Sequence, residues 1–273
     1  MRISLALPLL LAMAMPAVAQ SADPASPADA IPGRGGLTYL DLLRLASPDL
    51  VERDGTYEGT ISGALRSLAF ADDPPANDFP VSFRSIDAVA FASDGEPLLA
   101  LMLNTDNGAA VVAVFDPVAQ TLVDIADVAA DQHTSFDHPA VLPLGESDDG
   151  LLVSSSHFNS SQGYRMTSVL ALMDGQLREV ADVFTFRENY CGVDRDQQAL
   201  ISPGEGQPGR WQPFTITVTE VTLPPLEDCG SEGAPVPGTR AVAATYLWND
   251  AADAYQPDSN ALDKLYRDTE ARF

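Results

Sequence analysis

Three histidines, His133, His138 and His157, fall within one tenth of the chain. Zinc chemistry needs neutral imidazoles converging from a rigid frame, often with a carboxylate beside them. Asp137 lies among them and completes a possible donor set. The stretch Asp131 to Pro139 reads as a loop, and His157 reads as the end of a strand. A metal-dependent hydrolase centred on the three histidines is therefore one functional reading. Against it, His-x4-His on a loop is no metal signature, and HExxH is absent. The competing reading is loop histidines without a ligand, so the metal assignment stays open.

Other chemistries leave weaker marks. Ser154-Ser155-Ser156-His157 and Ser160-Ser161 suggest a nucleophile. However, adjacent strand residues point to opposite faces, and neither GxSxG nor SxxK occurs. Asp72-Asp73, Asp148-Asp149 and Glu227-Asp228 are adjacent carboxylates, but with 39 acids in the chain such pairs arise freely as solvated turns. The positions before Gly108 and Gly150 do not carry the oxygen ligands of a contiguous calcium loop. No P-loop and no GxGxxG is present, so no cofactor is expected.

The elements that would position these residues are mainly strands. Thr38, with Asp41 three residues on, predicts a capped helix with Tyr39, Leu42, Leu43 and Ala46 on one face, ended by Ser47-Pro48. Gly55 to Gly63 alternates as a strand, and Ala71 to Asn77 reads as a loop. Short strands are expected at Ile86–Ala92, Leu98–Leu103, Ala110–Phe115, Thr121–Val128, Leu151–Ser156, Ser168–Met173 and Gln176–Val183. Asp-Gly and Asn-Gly between them supply the positive φ of tight hairpins. Gln197–Ser202 and Phe214–Leu223 follow, the second alternating Thr or Glu with apolar residues as a half-exposed strand does. A helix from about Asn260 to Ala271, capped by Ser259, closes the chain.

An internal similarity runs through the strands. Leu98 to Val128 and Leu151 to Val183 share a pattern at an offset of 53 to 58 residues, and a looser third copy spans Ala241 to Asp258. The fold expected is mainly β, a repeated β-meander or propeller-like build, with one short N-terminal helix and one C-terminal helix.

Charge and cysteine usage bound the partners. The formal net charge is −24, with a single lysine, Lys264. That excess disfavours nucleic acid and anionic membrane surfaces and favours a cationic protein or envelope component. Residues 1–19 read as a signal peptide, with Arg2, an apolar stretch and Ala17-Val18-Ala19 before the cut. No later segment is long and apolar enough to span a bilayer. The terminal Phe273 resembles an outer-membrane sorting signal, but the residues before it follow a helical rather than a strand pattern. Residues 20–36 form a flexible lead-in, and 37–273 a single β domain. In a periplasmic or secreted setting Cys191 and Cys229 are expected to pair, stabilising the fold by about 4 kcal/mol in the chain-entropy model. The preferred reading is an exported, non-enzymatic binding protein.

Overall fold

Apolar runs without alternation signal strands covered on both faces, and such strands lie at the centre of this molecule. A computed structural model describes residues 22–70, 72–190, 193–204, 206, 209–224 and 235–272. The signal segment, Cys191, Cys229, Glu227-Asp228 and Phe273 lie outside the described residues.

The chain is mainly β with two helices, and its strands form two curled, meander-like sheets. The first half contributes β1 (Asp23–Ala25), α1 (Tyr39–Ala46), β2 (Val51–Arg53), β3 (Thr56–Ser67), β4 (Ala76–Phe83), β5 (Ile86–Ser93), β6 (Glu96–Asn104), β7 (Ala110–Asp116) and β8 (Thr121–Asp127). The second contributes β9 (Ser135–Pro143), β10 (Asp149–Phe158), β11 (Gln162–Met173), β12 (Gln176–Tyr190), β13 (Val193–Pro203), β14 (Phe214–Leu223), β15 (Gly238–Asn249), β16 (Ala254–Pro257) and α2 (Ala261–Glu270). The first sheet runs β1-β5-β6-β7-β8-β3-β2, with β4 paired to β3. The second runs β16 back to β9 in unbroken sequence order.

The meander alternative, rather than a ring of blades, is thus the one observed. The first repeat copy supplies β6, β7 and β8 of the first sheet, whereas the second supplies β10, β11 and β12 of the other. Asp94-Gly95 and Asp174-Gly175 both have positive φ at each residue, as the tightest hairpin turns require. Three strands are corrections to the sequence reading. β1 lies inside residues 20–36, read as a flexible lead-in, and pairs antiparallel with β5. β4 begins inside the segment read as a loop, and β9 contains the His138-Pro139 stretch also read as a loop. Pro80 and Pro139 obscure both strands. β9 is an edge strand, and Pro139 sits where its register with β10 shifts between Leu151 and Val153. No ladder donor is demanded there, so proline is tolerated.

Three apolar clusters hold the layers together. α1 covers one face of the first sheet, burying Leu42 and Leu43 against Phe83, Leu101, Leu103 and Phe115. The opposite face, through Phe91, Met102, Val112 and Val114, packs on Leu151, Val153, Leu170 and Leu172 of the second sheet. β6 and β7 therefore have no solvent face. The curl of the second sheet encloses Leu152, Val169, Val183, Phe214, Ile216 and Val218, closed by Leu265 of α2. The Thr38–Asp41 capping box forms as expected, with the Thr38 N–H donating to Asp41 at 2.9 Å and the Asp41 N–H to Thr38 at 3.2 Å. At α2 the cap position falls to Asn260 rather than Ser259, and its side chain makes no capping bond. Packing of Leu265 and Thr269 and the Lys264–Asp268 pair (2.7 Å) hold that helix instead.

Polar ties join the sheets. Asp149 accepts the Ala92 N–H at 2.8 Å. Asp148, its side chain 3% exposed, accepts the Asp94 N–H at 2.9 Å and both Nε and Nη2 of Arg210 at 3.0 and 2.8 Å. Burial pushes the Asp148 carboxyl up. The Arg210 hydrogen bonds, the Asp94 N–H and the guanidinium charge outweigh that and hold it below its ordinary 3.8. A depressed carboxyl contributes stability above its unfolded value, which is lost as pH falls through the folded one. Arg210→Ala should therefore cost about 2–3 kcal/mol at neutral pH, the half-wet guanidinium giving less than a fully buried one. The gap from wild type should narrow well below pH 3.8. Thermal melts of both chains at the two pH values check this. A gap that is constant with pH would show that the pair is not the cause.

Candidate functional site

The three histidines stand on two different strands and a turn. His157, on β10, stacks on Tyr164 (5.8 Å between centroids, 12° between planes) and approaches Asp131 at 3.5 Å. His138, on edge strand β9, lines a groove inside the curl of the second sheet. His133 occupies an exposed turn position with φ of 51°. Among the described residues no three His, Cys, Asp or Glu side chains gather as a metal site requires.

The groove holding His138 has a volume of about 450 Å³. Asp137 anchors it, accepting Ser154 Oγ at 2.9 Å and Arg165 Nη2 at 2.7 Å. Ser154 also shares a hydrogen bond with Thr167 Oγ1 at 2.9 Å. Its hydroxyl is thus engaged by a carboxylate already paired to arginine, and among the described residues it has no bond to a histidine. Arg187 and Asp196 complete a wall of balanced charge.

A second cavity differs in this respect. β12 and β13 pair only from Arg187–Asp196 to Tyr190–Val193. Beyond that point they diverge, and the Gln197 side chain takes the Phe186 N–H at 3.1 Å in place of a ladder partner. α2 lies across the opening, in contact with β12 and β15. The space beneath it, about 470 Å³, is lined by Met166, Phe184, Val218, Tyr246, Leu262 and Tyr266, with Asp182, Asp263 and Arg267. Phe184 meets Tyr266 edge-on at 5.3 Å, and Tyr246 stacks on Phe214 at 5.0 Å. The contact of Tyr164 with Phe184 at 5.5 Å continues the file of rings back to His157.

The two acids of this cavity have no ion-pair partner among the described residues, although Asp263 and Arg267 stand one helical turn apart. Asp182 and Asp263 are both solvent-exposed, and the cavity wall covers one side of the Asp182 carboxyl. Burial first, and the charge of Asp263 second, push that carboxyl above the ordinary aspartate value. The Tyr246 hydroxyl is pushed up to about 12 by burial and by the charges of Asp182 and Asp263. Comparison of the chain with protein-family models, curated proteins and solved structures finds no match. The internal repeat supplies a comparison instead. Asp127 occupies in the first copy the place of Asp182 in the second, and its carboxylate accepts the N–H groups of Ala110 and Ala129, both at 3.1 Å. Among the described residues the Asp182 carboxyl is acted on by a hydrogen bond from its own N–H alone.

α2 is anchored by buried charge. Glu188 pairs with Arg195 at 2.6 Å. Glu220 binds Gln197 Nε2 at 2.7 Å and Arg240 Nε at 2.9 Å. Gln197 reaches Thr269 of α2 at 3.1 Å, and Arg272 just beyond the helix lies 3.5 Å from Glu220. The sequence reading singled out none of Glu188, Glu220, Asp182 or Asp263. The available signal was an acid within an apolar strand run, Ala181-Asp182-Val183, but nothing in the chain order ties it to Asp263, 81 positions on.

Proposed function

We propose that this chain is an exported, non-enzymatic binding protein that takes cationic partners at the cavity beneath α2. One observation carries the reading: Asp182 and Asp263 face an aromatic-walled cavity with no ion-pair partner among the described residues. Two neighbouring carboxylates beside an apolar wall gain when a cation enters, because it relieves their mutual repulsion. The overall charge of −24 draws cations toward the surface as a whole. The export part of the proposal rests on residues 1–19 and predicts a mature N terminus at Gln20, which mass spectrometry of the exported chain reads directly. A retained leader would remove it.

The binding part is tested with a fluorescent oligolysine peptide titrated into the full chain. The double variant Asp182→Asn/Asp263→Asn should lose about tenfold or more in affinity, equivalent to about 1.4 kcal/mol. Asp72→Asn/Asp73→Asn removes the same charge from an exposed turn away from the cavity and should lose little. Equal losses in the two variants would mean general attraction to an acidic surface, and the cavity would not be the site.

A further inference from the structure

We infer that the cavity beneath α2 binds an N-alkylated ammonium group, with its alkyl carbons against Phe184, Tyr246 and Tyr266 and its charge facing Asp182 and Asp263. The inference rests on the binding reading above and adds the ligand class.

The walls select among cations. Calcium takes six to eight oxygen ligands and magnesium a strict octahedron, whereas most of this wall is carbon from Met166, Leu262 and the rings. A primary ammonium is compact and strongly hydrated, so against apolar surface it binds more weakly than an alkylated one. An alkylated ammonium has few or no N–H donors left to satisfy. It is attracted to the faces of aromatic rings, and its own carbon surface is buried favourably. Size agrees, since the space of about 470 Å³ lies within the range of small-molecule sites. Charge agrees as well: Asp182, Asp263 and Arg267 together leave one negative charge on the wall, which a monocation neutralises. The same position in the first repeat copy has its carboxylate held by two backbone N–H groups.

The group could belong to a free small molecule or to a lipid headgroup, and the test separates these sources. The full chain is titrated calorimetrically with choline chloride, with its neutral isostere bearing a tert-butyl group in place of trimethylammonium, and with ethanolamine hydrochloride. Phosphatidylcholine vesicles form a fourth arm. Choline is expected to bind at least about tenfold tighter than either soluble comparison. Asp182→Asn and Asp263→Asn should each erase most of its preference over the isostere while melting stays unchanged. Tyr246→Leu keeps the apolar volume and removes a ring, and should weaken choline more than the isostere. Vesicle binding that free choline displaces would assign the lipid source, and choline binding without vesicle binding the free one. Ethanolamine binding as tightly as choline overturns this inference and leaves the cation reading standing. Choline and its isostere binding equally overturns the inference as an apolar pocket without charge recognition. No binding by either ammonium compound, together with oligolysine affinity unmoved by the double variant, overturns both.

Discussion

Arg195→Ala is expected to destabilise the chain by about 3–5 kcal/mol, the cost of stranding a buried charge. The two residues stand directly opposite on β12 and β13, and their side chains are 3% (Glu188) and 13% (Arg195) exposed. With Arg195 gone, the nearest remaining cation to Glu188 among the described residues is Arg272 at 4.0 Å. Urea unfolding of the variant against wild type reads the loss. Converting both partners, Glu188→Leu with Arg195→Met, should cost far less than Arg195→Ala alone, because no charge is then left without water or partner. If the single and double variants lose the same amount, the effect is one of packing and not of stranded charge. The pair sits at the point where β12 and β13 part, so its loss should also loosen the end of α2 and the cavity that α2 roofs.

The second large effect is expected in the central layer. Leu101 is fully buried, and its cross-strand partners are Ala88 on β5 and Ala113 on β7. Both neighbours are small, so Leu101 is the bulk of that row beneath α1. Truncation to Ala leaves a void that two methyl groups cannot fill, and the sheet cannot move inward because its other face is packed on the second sheet. A loss of about 3–4 kcal/mol follows, in the upper part of the usual range for such changes. Leu200→Ala, at a side chain 65% exposed on β13, should move stability by less than about 0.5 kcal/mol. Chemical denaturation of both variants gives the comparison. A similar loss at the two positions would contradict the two-sided burial of β6.

Local chemistry was legible in the chain. The Thr38–Asp41 cap, the Asp-Gly hairpins at 94–95 and 174–175, and the Thr-alternating β14 each depend on residues close in sequence, so pattern alone places them. The continuous apolar runs of β6 and β7 showed strands but not what covers them. α1 and the second sheet supply the two covers, and both contacts are long-range. β9 escaped because a proline within a strand is readable only once the strand is known to lie at an edge with a register shift. The histidines were close in sequence, yet among the described residues they do not gather into a group of donors. By contrast, Asp182 and Asp263 are far apart in sequence, and only the parting of β12 from β13 and the seating of α2 across the gap bring them to one cavity. Residue order determined most of the elements, their turns and the acidity of the chain. Which acids are paired and which face an empty space was decided by tertiary packing, because charge pairing depends on distance through space and not along the chain.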